Sequence, residues 1–249
     1  MPVITLTTDF GLSDHFVGTM KGVIAGIAPK ANVVDICHLV KPHNIAEGAF
    51  VLSQAYRYFP KGTVHVAVVD PGVGTQRRPI LAQAESQYFI GPDNGIFSFL
   101  DRPKVRVLEN PAYFLREQST TFHGRDIFAP CAAHLAAGVK PKSFGPVITD
   151  PVVIDLQAKQ DGPKRWTGLV LKADHFGNLI TNLPSRLGRP KSLKIGSHTI
   201  TRTATTYENG KEPFLIAGSS GYFEISLRQA SAEAALGCGA GTPLKLTLW

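Results

Sequence analysis

The feature that most constrains the fold is the alternation of apolar, β-branched runs with helix-periodic stretches over the first 140 residues. Val3–Thr7 is a short β-branched run that ends in Thr8-Asp9-Phe10-Gly11. His15–Ile27 then carries Phe16, Met20, Val23, Ile24 and Ile27 at the spacing of one apolar helix face, and Pro29 stops it. Asn32–Cys37 reads as a second strand and Ile45–Phe59 as a second helix. Val64–Val69 is an apolar run broken only by His65, the pattern of a strand covered on both faces. Further strands are expected near Ile80–Ala84, Tyr88–Gly91 and Val105–Leu108, and a helix over Ile127–Ala137 with Asp126 available as its N-cap. This β-α-β-α-β order predicts an α/β domain on a mostly parallel sheet with right-handed crossovers. Ligands of such sheets sit beyond the carboxyl ends of the strands, where Asp9 and Asp70 both fall.

After about residue 140 the pattern changes. Pro141, Pro146, Pro151 and Pro163, with glycines and polar residues between them, mark a connecting stretch. From Trp166 onward come short strands and turns: Gly168–Ala173, Ser192–Ile195, His198–Arg202, Pro213–Ala217, Tyr222–Leu227 and Pro243–Trp249. Their spacing is that of a small β-barrel or sandwich. The expected organisation is an α/β N-terminal domain over 1–150, a linker over 151–164 and a smaller β-barrel-like domain over 165–249.

Composition excludes several classes. With 249 residues, 43% of them hydrophobic and 18% charged, the chain is neither disordered, collagen-like nor a disulfide mini-protein. Cys37, Cys131 and Cys238 are odd in number and form no CxxC pair, so they read as buried thiols of a reducing compartment. No run approaches the roughly 18 apolar residues of a membrane helix, so no membrane partner is expected. Met1-Pro2 leads straight into Val3 with no basic segment, which reads as no signal peptide and a cytoplasmic protein. The net charge of +7 is spread thinly, never more than two basic residues in a row, and predicts a basic solvated surface in place of a nucleic-acid partner.

Four segments concentrate polar residues where a strand has just ended. In Thr7-Thr8-Asp9-Phe10-Gly11 the carboxylate can take two hydroxyl hydrogen bonds, as from a ribose diol, or cap the next helix. In Asp70-Pro71-Gly72-Val73-Gly74-Thr75-Gln76-Arg77-Arg78, Asp70 and Arg77 can fold back into a charge-assisted pair, or the loop is a plain surface turn. It is neither a Walker loop nor GxGxxG. Thr121-Phe122-His123-Gly124-Arg125-Asp126 offers a histidine, the side chain most easily poised near neutral pH. In Asp174-His175-Phe176-Gly177-Asn178-Leu179-Ile180-Thr181-Asn182, Phe176 can stack on a purine and Asn178 can bond a base edge, or the segment is a turn. No HxH, HExxH or carboxylate cluster points to a metal, and no GxSxG elbow to a covalent nucleophile.

Taken together, TTDFG, VVDPGVGTQRR, GPDNG, TFHGRD, DHFGNLITN and SSGYFEI, in that order from residue 5 to about 230, resemble the S-adenosyl-L-methionine hydroxide adenosyltransferases, relatives of the fluorinating and chlorinating nucleoside enzymes. The resemblance implies the same two-domain fold and a homotrimer, with the ligand between the N-terminal domain of one subunit and the C-terminal domain of its neighbour. It implies attack of water or hydroxide on the 5′ carbon of S-adenosylmethionine, giving adenosine and methionine with no metal or redox cofactor. On this sequence the water-handling set falls on Asp70, Arg77 and His123, and the ribose hydroxyls on Asp9. Phe176 and Asn178 fall at the adenine end with Ala230 nearby, Asp174 at the methionine ammonium, and Ser219 and Ser220 at its carboxylate. Halogenating relatives carry Tyr and Thr where this chain has Asp70 and Val73, and Ser where it has Gly124. An arginine of theirs is replaced by Ser220, and DHFGN is one residue shorter than their equivalent. A carboxylate at Asp70 repels a halide and favours a polarised water, so hydrolysis is expected over halogenation. A binding module with little turnover is the alternative.

Overall fold

A computed structural model describes residues 1–207 and 211–249. The chain forms two compact units, Met1–Asp155 and Leu156–Trp249.

The first unit is built on β1 (Val3–Thr8), β2 (Asn32–Cys37), β3 (Val64–Val68), β4 (Pro79–Ala84), β5 (Gln87–Pro92), β6 (Lys104–Val107) and β7 (Val147–Ile148). Its helices are α1 (Phe16–Ile27), α2 (Ile45–Ala55) and α3 (Ala129–Ala136). The strands lie in the order β2-β1-β3-β5-β4-β6-β7. The pairs β1–β2, β1–β3 and β3–β5 are parallel, as the alternation predicts. The pairs β4–β5, β4–β6 and β6–β7 are antiparallel, so the sheet is mixed where the sequence pointed to a mostly parallel one. The cause is local. Glu85 and Ser86 join β4 to β5 at φ 48° and 63°, the left-handed pair of a type I′ turn, and a two-residue turn can only return the chain antiparallel.

Both faces of the parallel half are covered. Ile4, Leu6, Val64, Val66 and Ile90 pack with Met20 and Ile24 of α1 and with Ala129 and Cys131 of α3. The alternate residues face an aromatic group instead, in which His65 stacks on Phe89 at 5.0 Å and meets Tyr56 edge-on at 6.3 Å. His65 is fully buried, and its ring nitrogens are both engaged: Thr5 Oγ1 lies 2.7 Å from Nδ1, and Gln87 Oε1 lies 2.9 Å from Nε2. Gln87 directs its amide NH2 to the carbonyl of Phe59, so its oxygen faces the ring and Nε2 carries the proton. The expected second helix stops early: α2 ends at Ala55 and a 3₁₀ turn continues over Tyr56–Tyr58.

The second unit is a curled half-barrel. Its elements are β8 (Lys159–Gln160), β9 (Arg165–Ala173), β10 (Leu179–Pro184), β11 (Pro190–Ile195), β12 (His198–Ile200), β13 (Thr203–Ala204), β14 (Phe214–Ala217), β15 (Tyr222–Ser226), α4 (Ala232–Leu236) and β16 (Pro243–Leu248). The sheet runs β12-β11-β16-β9-β10-β15-β14-β13, with β8 beside β9. Residues 159–160 of the expected linker therefore form a strand. Val170, Leu179, Leu193, Leu215, Ile225 and Leu246 meet in its core. No helix among the described residues is long and apolar enough to cross a membrane.

Burial pushes the His65 pKa down to about 4, against about 6.5 for a free imidazole. The unfolded chain then takes up the proton first as pH falls, so stability is complete above pH 6.5 and is lost between 6.5 and 4. At about 1.4 kcal/mol per pH unit, the loss approaches roughly 3 kcal/mol at pH 4. Denaturant melts from pH 7 to pH 4 are expected to show this acid loss in the wild type and a shallower one in His65→Gln. Equal pH slopes for the two proteins would contradict the assignment.

Candidate active site

The site begins where the central strands stop. Thr8 is the register partner of Val68, so Asp9 and Asp70 emerge from adjacent parallel strands at the same edge of the sheet. Asp9 Oδ2 accepts the backbone N–H of His43 at 2.9 Å, which ties the β2–α2 connection to the end of β1. His43 holds φ 66° there. The turn after β1 is braced from behind: Gly11 N–H donates to the His38 carbonyl at 2.8 Å, and Thr8 Oγ1 lies 2.9 Å from His38 Nδ1.

Asp70 and Arg77 form a buried pair, with side chains 5% and 9% exposed. Arg77 Nε donates to both carboxylate oxygens at 2.9 Å, and Nη2 donates to Oδ2 at 2.5 Å. Of the two readings open for this loop, the structure takes the folded-back pair. Gly74, at φ 76°, lets the loop pass directly against the Thr120 carbonyl, where a side chain would collide. Beneath the pair, the guanidinium carbon lies 5.3 Å from the Phe128 ring centre. The neighbouring Arg78 points elsewhere, to Asp93 and Asp150.

Arg77 Nη2 also lies 2.8 Å from His123 Nδ1. A guanidinium only donates, so Nδ1 must be the acceptor and the ring proton sits on Nε2. Burial, reinforced by the charge on Arg77, holds the His123 pKa below the ordinary histidine value, although Asp70 and Asp126 pull it the other way. The imidazole at this position is neutral and presents an N–H.

His123 precedes a wide π turn over Gly124–Phe128, and the regular helix begins only at Ala129. Asp126 is therefore not the N-cap expected of it. It is fully buried inside the turn, accepting Ser119 N–H at 2.7 Å and Arg125 Nε–H at 2.6 Å. Asp9, Asp70 and His123 open together into a cleft of about 270 Å³. Phe10, Phe16 and Phe122 wall it and touch one another at 5.1 to 5.8 Å. A Cβ on Gly124 would lie 3.2 Å from the Phe122 ring and 3.3 Å from Met20 Sδ, so glycine lets this wall close.

The other expected site residues belong to the second unit. Asp174 organises its own loop: Oδ1 accepts the N–H groups of Phe176 and Asn178 at 2.9 and 2.8 Å, and Oδ2 accepts Asn178 Nδ2 at 2.8 Å. Phe176 is 75% exposed and Asn178 is buried. The Gly177 carbonyl accepts Glu233 N–H at 3.0 Å, and Gly177 packs against Ser231, the residue after Ala230, so this loop lies against the start of α4. Ser219 and Ser220 occupy the β14–β15 turn, and the Ser220 hydroxyl is buried without a partner. Two further polar groups escaped the sequence reading. Glu224 is buried on β15, accepts the Tyr207 hydroxyl at 2.9 Å, and has its pKa raised by burial and by the charge of Asp174. A carboxylate between Phe223 and Ile225 in a strand was the available signal.

Residues 4–145 match the SAM hydroxide adenosyltransferase N-terminal domain, and residues 168–245 match the corresponding C-terminal domain. The chain belongs to the SAM hydroxide adenosyltransferase family. Among its relatives is the (R)-S-adenosyl-L-methionine hydrolase of Salinispora arenicola, 38% identical over 99% of this chain and 98% of that one. The enzyme of the same name from Thermus thermophilus is 38% identical over 99% and 100%. A fluorinase of Nocardia brasiliensis is more distant, 27% identical over 73% of this chain and 71% of its own. Among solved structures, an uncharacterised conserved protein of Thermotoga maritima superposes with a TM-score of 0.90 at 32% identity, covering 98% and 99% of the two chains.

In this member of the SAM hydroxide adenosyltransferase family, the cleft offers one carboxylate fixed by a guanidinium and one neutral imidazole. Such a set can orient a water molecule and support negative charge growing on its oxygen. By ¹⁵N NMR, His123 is expected as the Nε2–H tautomer, titrating below pH 6.5. Removing the adjacent positive charge in Arg77→Gln should move that titration upward. A wild-type midpoint at or above 6.5 would contradict the geometry.

Proposed function

We propose that this chain hydrolyses S-adenosyl-L-methionine to adenosine and L-methionine. The reading is carried by the Asp70–Arg77–His123 arrangement in the cleft, and is supported by likeness over 99% of the chain to proteins named (R)-S-adenosyl-L-methionine hydrolase. In the reaction, a water oxygen forms a bond to the ribose 5′ carbon while the C5′–S bond breaks. Its electron pair stays on sulfur, which leaves as the neutral thioether of methionine, so no acid is needed at the leaving group. One proton is released overall.

The difficulty lies with the nucleophile, since water is weak and hydroxide scarce at neutral pH. Asp70 orients the water by accepting a hydrogen bond from it through lone pairs that Arg77 leaves free, and the water's proton leaves along that bond to the carboxylate and then to solvent. Arg77 holds that carboxylate and stabilises charge as hydroxide character develops. His123 has its Nδ1 lone pair occupied by Arg77, so it serves as an Nε2–H donor to the same oxygen and not as the base. A binding protein has no use for a buried, charge-paired water site at the reacting carbon. A halide would meet the Asp70 carboxylate and be repelled.

The remaining assignments follow the same reading. Asp9 takes the ribose hydroxyls, Phe176, Asn178 and Ala230 the adenine, Asp174 the methionine ammonium, and Ser219 and Ser220 its carboxylate. The chain acts as two domains joined by a linker, in a cytoplasmic homotrimer whose site is completed by a neighbouring subunit.

Chromatography after incubation with S-adenosylmethionine is expected to give adenosine and methionine in equal amounts. Asp70→Asn should lower kcat by about a hundredfold with KM little changed, whereas Asp9→Ala should raise KM by leaving ribose hydroxyls unpaired. Unchanged substrate, or a 5′-halo product in added chloride, would overturn the proposal.

A further inference from the structure

The Gly91-Pro92-Asp93-Asn94-Gly95 stretch has no task in the reaction as drawn, yet it sits against the loop that performs it. The sheet order β3-β5-β4 explains why. The connection from β3 to β4, which contains Asp70 and Arg77, must pass over the end of β5, and Asp93 and Asn94 are the residues that leave that end. Asn94 Nδ2 donates to the carbonyl of Val69, the residue before Asp70, at 2.8 Å. Its Oδ1 accepts Ile96 N–H at 3.2 Å, which fixes the orientation of the amide. At the other end of the loop, Pro79 is the register partner of Pro92, placing Arg78 opposite Asp93. Asp93 N–H donates to the Arg78 carbonyl at 2.8 Å, and its carboxylate, 2% exposed, accepts Arg78 Nε and Nη2 at 2.8 and 2.6 Å. Its second oxygen accepts Val152 N–H at 2.8 Å.

The ion pair between Asp70 and Arg77 is internal to the loop. It sets where those two groups stand relative to each other, not where they stand relative to the cleft. Turn bonds from Val73 N–H to Asp70 and from Thr75 N–H to Gly72 make the loop one unit, and the contacts of Gly74 with Thr120 and of Arg77 with His123 hold its middle. The anchors on its flanks fix where its two ends enter and leave the cleft. We propose that Asp93 and Asn94 are positioning residues that clamp the two ends of the Asp70–Arg77 loop, so that the Asp70 carboxylate holds water in line with the scissile C5′–S bond. This rests on the hydrolase reading above. A displacement of about 1 Å at a reacting group can cost on the order of a hundredfold in rate, which is what the clamp prevents.

The test uses Asn94→Asp, which keeps the shape and the acceptor for Ile96 but loses the donor to Val69, together with Asp93→Asn. In folded protein, kcat is expected to fall about ten- to a hundredfold with KM and adenosine affinity within about twofold. The ¹⁵N resonance of His123 Nδ1 should shift as its bond from Arg77 loosens. A merely structural role would lower the melting temperature and leave kcat per folded molecule and the His123 resonance unchanged; that result would overturn the proposal. If Asn94→Asp does not fold, Asn94→Ser serves in its place. Should the wild type fail to turn over S-adenosylmethionine, the hydrolase reading falls, and an unmoved His123 resonance in the variants would separately remove the clamp.

Discussion

A carboxylate and a guanidinium buried side by side are the constraint around which this site is arranged. Neither Asp70 nor Arg77 could be left alone at 5–9% exposure, because an unpaired buried charge costs several kcal/mol. Once paired bidentately, Arg77 has donors left over, and one goes to His123. That bond sets the tautomer of the imidazole: Nδ1 becomes an acceptor and the proton sits on Nε2, while burial, reinforced by the neighbouring positive charge, opposes protonation. The Phe128 ring under the guanidinium and the close pass of Gly74 against Thr120 keep the group from relaxing toward solvent.

The sheet supplies the geometry that this pair needs. Its parallel half, closed on both faces, brings β1 and β3 to a common edge, and its antiparallel half sends β4 back past β5. The change of direction at β5 is what routes the β3–β4 connection across a strand end. A wholly parallel sheet would have placed a helix in that connection and no turn beneath it. The mixed topology thus contributes directly to how the Asp70 loop is seated.

Much of this was legible in the residues. Apolar runs that stop abruptly at Asp9 and Asp70 marked the strand ends, and the seven-residue spacing from Asp70 to Arg77 left room for a fold-back pair as one of two readings. What escaped has physical reasons. The Glu85-Ser86 turn carries no glycine or asparagine, so its left-handed backbone gave no local signal of a hairpin. The π turn at Gly124–Phe128 arises from burying Asp126 on Ser119 and Arg125, a tertiary demand that overrode its preference for a helix cap. Strand β10 lay inside a segment whose glycine and asparagines read as a turn, and Glu224 looked like an ordinary strand residue until its burial beside Tyr207 was visible.

The central claim is that water, held by this buried pair, attacks the ribose 5′ carbon. The most direct measurement is a single turnover of S-adenosylmethionine in oxygen-18 water, with mass spectrometry of both products. The account predicts one labelled oxygen, on the 5′ hydroxyl of adenosine, and unlabelled methionine. Adenosine without label at that position would contradict it.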